Sequence, residues 1–305
     1  MTADGLPPLR EVVAALGLSA RKGLGQHFLF DFNLTRRIAR AAGPFGPDDV
    51  VFEVGPGPGG LTRALLMEGA PFVFAVERDP RAEPALAAIA ARYPERFAYR
   101  ITDARKIDLK TLFPNRPVRV AANLPYNVGT HLLLGWLAED PWPPSWLSLT
   151  LMFQKEVADR LVANPGSAQY GALSILAQWR AEVRRIMTVP ARAFVPPPKV
   201  DSAVIRITPR RQPVANLTFR DLDRLLRPVF AQRRKMLRRS LRSLVAEPAA
   251  FLARHGIAET ARPEELPVAD FLRLAQALAC EKTPKASQSP DLQRSAPPTR
   301  GPGRD

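Results

Sequence analysis

Cysteine occurs once in 305 residues, at Cys280, which excludes an intramolecular disulfide framework and any cysteine-rich zinc site. Histidine is almost as scarce. His27, His131 and His255 lie far apart and give no His-Glu-x-x-His spacing, so no metal centre is expected. No window approaches the roughly 18 uninterrupted apolar residues of a membrane-crossing helix. The stretch Met1 to Gly5 lacks the basic and apolar regions of a secretory signal, so the expected location is the cytoplasm. Acidic residues are few, 29 Asp and Glu against 44 Lys and Arg. The resulting net charge of +15 points to a polyanionic partner, RNA or DNA ahead of a membrane surface. Apolar residues, by contrast, make up 46% of the chain, enough for the core of one large domain and a smaller one.

Hydrophobic periodicity divides the chain. Residues 8 to 18 and Asn33 to Ala42 read as helices on either side of a glycine-punctuated loop, Lys22 to Leu29. Short buried-type strands follow at Val50 to Val54, Phe72 to Val76, Phe97 to Thr102 and Val118 to Ala122, alternating with helices at Leu61 to Glu68, Arg81 to Tyr93 and Thr130 to Ala138. That alternation predicts an α/β protein with a doubly wound parallel sheet. A strand near Leu147 to Met152 and helices from Lys155 and from Gly171 to Trp179 come next. Val183 to Val189 and Ala203 to Ile207 then read as an antiparallel hairpin at the sheet edge.

Composition shifts between Pro209 and Pro213, and beyond it only helical patterns remain: Arg220 to Phe230, Arg233 to Val245, Pro248 to His255 and Val268 to Ala279. The expected division is a sheet domain over 1–208, a small C-terminal all-α domain over 209–281 and a disordered tail over 282–305, rich in Pro, Ser and Arg. Trp136, Trp142, Trp146 and Trp179 read as packing residues, Cys280 as a buried small apolar group, and His131 and His255 as structural.

Gly55, Gly57 and Gly60 follow the first of the alternating strands at the spacing that lets a backbone turn sharply and approach a ligand at a helix N-terminus. The motif fits a dinucleotide or S-adenosylmethionine equally well, and Glu77, at the end of the next strand, would bind ribose hydroxyls of either. Glu53, Asp103 and Asn123 narrow the choice. Glu53 precedes the first glycine by two positions, where it would support the loop. Asp103 ends the third strand, where it would accept from an adenine amine, and Asn123 ends the fourth. Side chains at four successive carboxyl ends converge on one crevice.

Asn123-Leu124-Pro125-Tyr126 sets a side-chain amide, backbone carbonyls and an aromatic face at a strand end. Two acceptors on the protons of an exocyclic nucleobase amine favour its pyramidal, nucleophilic form, while an aromatic ring fixes the base plane. With the glycine loop upstream, the two segments together imply an amino-group methyltransferase that needs no strong general base.

Five strings in this order resemble the ribosomal RNA adenine dimethyltransferase family, specifically its small-subunit (16S) branch: Gly25 to Leu29, Glu53 to Thr62, Asn123 to Asn127, Gln154 to Val157, and Phe194 to Val204. They span roughly residues 21 to 207. The resemblance implies a Rossmann-like methyltransferase sheet and S-adenosyl-L-methionine as cofactor, with contacts from His27, Leu29, Gly55, Gly57, Glu77, Asp103 and Asn123. It places the target adenine on Asn123, Leu124, Pro125 and Tyr126, with Phe194 as a stacking partner. Members often carry Asn where His27 stands, a change that a backbone contact would survive. The implied substrate is a pair of adjacent adenosines in a hairpin near the 3′ end of small-subunit rRNA, each dimethylated at N6. The implied partners are that rRNA and the assembling pre-30S subunit, with no membrane, the protein acting as a monomer.

Between Arg210 and Arg242 eleven Lys or Arg face two Asp. The basic residues Arg233, Arg234, Lys235, Arg238, Arg239 and Arg242 recur at near-i, i+4 spacing, which predicts one helix face as a phosphate-binding stripe. Such a stripe gives affinity without sequence discrimination. Two alternatives remain beside the main reading: the large-subunit branch that confers macrolide resistance, and a ribosome-assembly factor that keeps the fold without catalysis. A dinucleotide oxidoreductase is disfavoured by the basic stripe.

Overall fold

Val50-Val51-Phe52-Glu53-Val54 is buried at every position, a pattern that only a strand covered on both faces tolerates. In the computed structural model this strand sits in the interior of a seven-stranded sheet. The structure describes residues 3–18, 25–126, 128–211 and 217–280, so the readings at Lys22 to Leu24, at Asn127, over 212–216 and in the tail from 282 lie outside the described residues.

The chain begins with helix α1 (Leu9–Ala15), a two-residue strand β1 (Phe28–Leu29) and helix α2 (Phe32–Ala42). Strands β2 (Val50–Val54), β3 (Phe72–Glu77), β4 (Phe97–Ile101) and β5 (Val118–Asn123) then alternate with α3 (Gly60–Met67), α4 (Glu83–Arg92) and the single turn α5 (Leu109–Leu112). Helix α6 (Gly129–Leu137) leads to β6 (Trp146–Gln154), and α7 (Lys155–Leu161) and α8 (Ala172–Arg180) lead to β7 (Ala181–Val189). A two-residue β8 (Phe194–Val195) precedes β9 (Ser202–Pro209). The order across the sheet is β4-β3-β2-β5-β6-β9-β7. The first five strands are parallel, and β9 runs antiparallel between β6 and β7, so the expected edge hairpin forms.

Alternate residues of the strands feed two apolar clusters. Val50, Phe52 and Val54 pack toward Leu133 and Leu137 of α6, whereas Val51 packs toward Ile38 of α2 and Leu65 of α3. Asp31 caps α2 by accepting from the Leu34 amide at 3.1 Å. A buried ion pair that no sequence pattern announces joins the chain's beginning to α3: Asp4 accepts from the Arg63 guanidinium at 2.6 and 2.7 Å, and both side chains are nearly inaccessible. With the Arg63 bond to the Pro7 carbonyl, it fixes the segment before α1 against the helix that follows the glycine loop.

A third cluster gathers α9 (Phe219–Ala231), α10 (Leu237–Ser240), α11 (Pro248–Arg254) and α12 (Val268–Cys280), and it includes Ile175, Leu176 and Trp179 of α8. Thr218 and Asp221 close a capping box on α9.

Three expectations are corrected here. The run Arg233 to Val245 is not one helix: residues 232 to 236 form a turn, and only Leu237–Ser240 is α-helical before a short 3-10 turn. Arg233-Arg234-Lys235 has no apolar side chain to bury, and the Leu237 amide bonds instead to the Ala261 carbonyl at 2.8 Å. The expected helix Arg81 to Tyr93 is shortened to Glu83–Arg92, because Asp79 and Pro80 start a separate 3-10 turn. Cys280 is exposed. At 100° per residue it stands about 140° round α12 from buried Ala275. Trp136, Trp146 and Trp179 are buried, and Trp142 meets Trp146 edge-on. Among the described residues no helix is long and apolar enough to cross a membrane.

Candidate active site

The strand order reverses between β2 and β5, the position at which open α/β sheets bind ligands. The segments that leave the carboxyl ends of β2, β3, β4 and β5 line one cleft there, holding about 1230 Å³ of free space including its open mouth. His27, Leu29, Gly55, Gly57, Glu77, Asp103, Asn123, Leu124, Pro125 and Tyr126 all line it.

After β2 the chain turns through left-handed backbone at Gly55 (φ +68°) and Gly59 (φ +88°). A Cβ on Gly59 would stand 2.1 Å from Ile89 Cδ1, so this glycine lets the loop pack directly on α4. A Cβ on Gly55 would meet only Pro125 Cδ, at 3.9 Å, which leaves the backbone there bare toward the cleft.

Glu77 ends β3 almost fully buried. Its Oε1 accepts from the Arg78 and Asp79 amides (2.7 and 2.8 Å), and its Oε2 from the Gly57 amide (2.9 Å). A carboxylate offers about four lone-pair positions, so one remains for a ligand hydroxyl. Burial raises its pKa above the ordinary carboxylate value, against the lowering effect of those three amides.

Glu53 is the most deeply buried acid of the cleft. Thr62 Oγ1 donates to it at 2.6 Å, tying β2 to the first turn of α3, so it supports the loop as expected. Desolvation pushes its pKa from 4.5 up to about 8, with the Thr62 bond opposing and the charge of Glu77 adding. The folded chain therefore keeps a proton that the unfolded chain has shed above 4.5, and stability falls as pH rises through that interval. Glu53→Gln carries no such proton. Thermal unfolding from about pH 5 to about pH 9 is expected to show wild type losing on the order of 3 kcal/mol relative to Glu53→Gln. Parallel pH profiles for the two proteins would contradict the protonated state.

Asp103 follows β4 and accepts from the Arg105 amide at 3.0 Å and its guanidinium at 2.6 to 3.1 Å. That guanidinium holds its carboxyl well below the usual range. Asn123 Nδ2 donates to the His27 carbonyl at 3.3 Å, which leaves Oδ1 and the Leu124 carbonyl without hydrogen bonds among the described residues; the Pro125 carbonyl is taken by the Val128 and Gly129 amides. Tyr126 is held by its hydroxyl against Ser202 Oγ at 2.6 Å, and burial raises its pKa. The sequence did not anticipate the bonds from Tyr126 to Ser202 and from Asn123 to the His27 carbonyl, since only the fold brings these groups together.

Phe194 departs from the expected stacking role. It is 1% exposed, packs with Leu29 and Val204, and does not line the cleft. Pairing of β1 with β8 sets Phe194 opposite Leu29 and turns its ring inward. The ring facing Tyr126 is that of His27, with centroids 5.7 Å apart and planes at 30°. Phe194 meets His27 edge-on behind it, and His27 Nδ1 bonds to the Pro196 carbonyl at 2.8 Å.

The basic residues are not equivalent. Arg233 is tied to the Ala168 carbonyl and to Glu264, and Arg238 to Glu259 at 2.9 Å. Arg234, Lys235, Arg239 and Arg242 are exposed without an acidic partner among the described residues. They follow a turn and two short helices rather than one continuous stripe.

A family model described as ribosomal RNA adenine dimethylase matches residues 17–280. A ribosomal RNA small subunit methyltransferase A of Azorhizobium caulinodans is 58% identical over 274 residues, covering 90% of this chain and 94% of its own length. The Paracoccus denitrificans protein of that name is 57% identical over 277 residues, covering 90% and 97%. Among solved structures, a dimethyladenosine transferase from Plasmodium falciparum aligns with a TM-score of 0.72 at 26% identity, over 84% of this chain and 98% of its own. The 23S rRNA methyltransferase ErmE aligns at 0.63 and 26%, over 83% and 99%.

Proposed function

The chain belongs to the ribosomal RNA adenine dimethylase family, and from that premise we propose that it transfers methyl groups from S-adenosyl-L-methionine to N6 of two adjacent adenosines near the 3′ end of small-subunit rRNA, giving dimethyladenosine during ribosome assembly. The observation that carries this reading is the pair of acceptors without hydrogen bonds among the described residues, Asn123 Oδ1 and the Leu124 carbonyl, beside the Tyr126 ring and in one cleft with Glu77. The small-subunit target is favoured by relatives above 50% identity, whereas the 23S-directed ErmE stands at 26%.

The lining fits the methyl donor. The bare backbone at Gly55 admits close approach, the open lone pair of Glu77 suits a ribose hydroxyl, and the carboxylates of Glu77 and Asp103 face a cationic ligand. S-adenosylmethionine bound there supplies an electrophilic methyl group on its sulfonium. Asp103 accepts from the adenine amine once the half-exposed Arg105 side chain swings away, an inexpensive movement for a surface ion pair. His27 and Leu29 close the cleft from the β1 side.

At the other end Asn123 Oδ1 and the Leu124 carbonyl take the two N6 protons of the target base, whose plane rests on Tyr126. Proximity and orientation then provide most of the acceleration. Residues 209–281 serve as the RNA-binding part, supported by an apolar core of their own that also recruits α8.

Calorimetric titration with S-adenosylmethionine and, separately, NAD tests the cofactor assignment. S-adenosylmethionine is expected to bind and NAD not, and Glu77→Ala is expected to weaken S-adenosylmethionine about 10- to 100-fold through loss of a charge-assisted bond. NAD binding, or unchanged affinity in Glu77→Ala, would contradict it.

A further inference from the structure

The β1–β8 ribbon has two sides. His27, Phe28 and Leu29 line the cleft, while Phe30 and Val195 line a second depression on the outer side, with about 1130 Å³ of free space open to solvent. Three guanidinium groups from three elements bound this groove: Arg10 on α1, Arg37 on α2 and Arg192 just before β8.

All three are exposed, and none has a carboxylate partner among the described residues. Their neighbours behave differently. Arg36 and Arg40, on the same helix as Arg37, both pair with Glu68 on another face. Asp31, the one acid among the described residues that line the groove, is already engaged in capping α2. Apolar surface accompanies the charge: Arg10 lies 5.1 Å from the centroid of Phe30, and Val195 is 43% exposed.

Unpaired guanidinium groups beside a half-open aromatic ring are the chemistry that takes up single-stranded nucleic acid, phosphates on the cations and bases on the ring. The groove also sits where such a strand would run. Val195 pairs with Phe28 of the cleft wall, and the next residue, Pro196, bonds to His27 beside Tyr126. We propose that this groove binds the single-stranded RNA flanking the target adenosine, through Arg10, Arg37 and Arg192 on its phosphates and Phe30 on a base. The inference rests on the RNA-directed reading above and adds to it a second contact surface, distinct from the basic residues of 233 to 242.

The test is equilibrium binding of a single-stranded RNA oligomer of about ten nucleotides over a salt series, without methyl donor, to wild type, to Arg37→Glu with Arg192→Glu, and to a control pair. The control, Lys110→Glu with Arg116→Glu, makes the same change in net charge at exposed positions on α5 and before β5. The groove variant is expected to bind about tenfold more weakly, with a salt slope smaller by about one to two, as befits losing two phosphate contacts. The control should stay near wild type, and both pairs should keep wild-type affinity for S-adenosylmethionine. Equal affinities of groove variant and wild type, or equal weakening by both pairs, would overturn the assignment. So would an unchanged oligomer affinity together with poorer use of whole subunits, which would place a protein in the groove. The oligomer measurement needs no methyl transfer, so it fails or succeeds independently of the enzymatic assignment.

Discussion

Asn123→Ala is expected to lower methyl transfer about 100- to 1,000-fold while leaving affinity for rRNA within about twofold. The amide of Asn123 is oriented by the His27 carbonyl, so Oδ1 is presented at a fixed place at the end of β5. On the proposed reading, truncation removes one of two acceptors for the N6 protons. The Leu124 carbonyl alone fixes only one of them, and the amine lone pair stays delocalised into its ring. Asn123→Asp keeps an acceptor and should retain more activity than Asn123→Ala. Single-turnover rates with saturating S-adenosylmethionine separate this effect from any loss of cofactor affinity. A variant that turns over at the wild-type rate would remove Asn123 from the chemistry.

Reversing Arg234, Lys235 and Arg239 to Glu should weaken binding to undermethylated small subunits by about 10²- to 10³-fold at low salt, and reduce the salt slope by about two to three. Arg238 is left out because Glu259 already neutralises it, and Arg233 because it anchors the turn to Ala168 and Glu264. The three chosen side chains are exposed and belong to none of the apolar clusters, so the fold and S-adenosylmethionine affinity should be unaffected. An unchanged salt slope would move the phosphate contacts elsewhere.

Strands were the most legible part of this chain, for a physical reason. β2 and β5 are β-branched runs buried on both faces, so burial and periodicity point to the same element, and their ends fell within a residue of expectation. The cleft was legible because glycine spacing and strand-end acids report the same crevice from several independent positions. What escaped depends on partners distant in sequence. The β1–β8 ribbon is two residues long and exists only through pairing across the chain, and that pairing turned Phe194 inward and put His27 against Tyr126. The run after Arg233 has helical spacing at Leu237 and Leu241, both buried as expected. A backbone bond from Leu237 to Ala261 nonetheless wins over helix continuation. Asp4 and Arg63 are generic charges until the fold buries them together.

The most direct test is methyl transfer from labelled S-adenosylmethionine to undermethylated small subunits and, in parallel, to large-subunit rRNA, with the modified nucleoside identified by mass and its position mapped. The account predicts N6,N6-dimethyladenosine confined to two adjacent positions near the 3′ end of small-subunit rRNA, and none with Asn123→Ala over the same interval. Label confined to the large subunit, or no label despite measurable binding of cofactor and RNA, would contradict it.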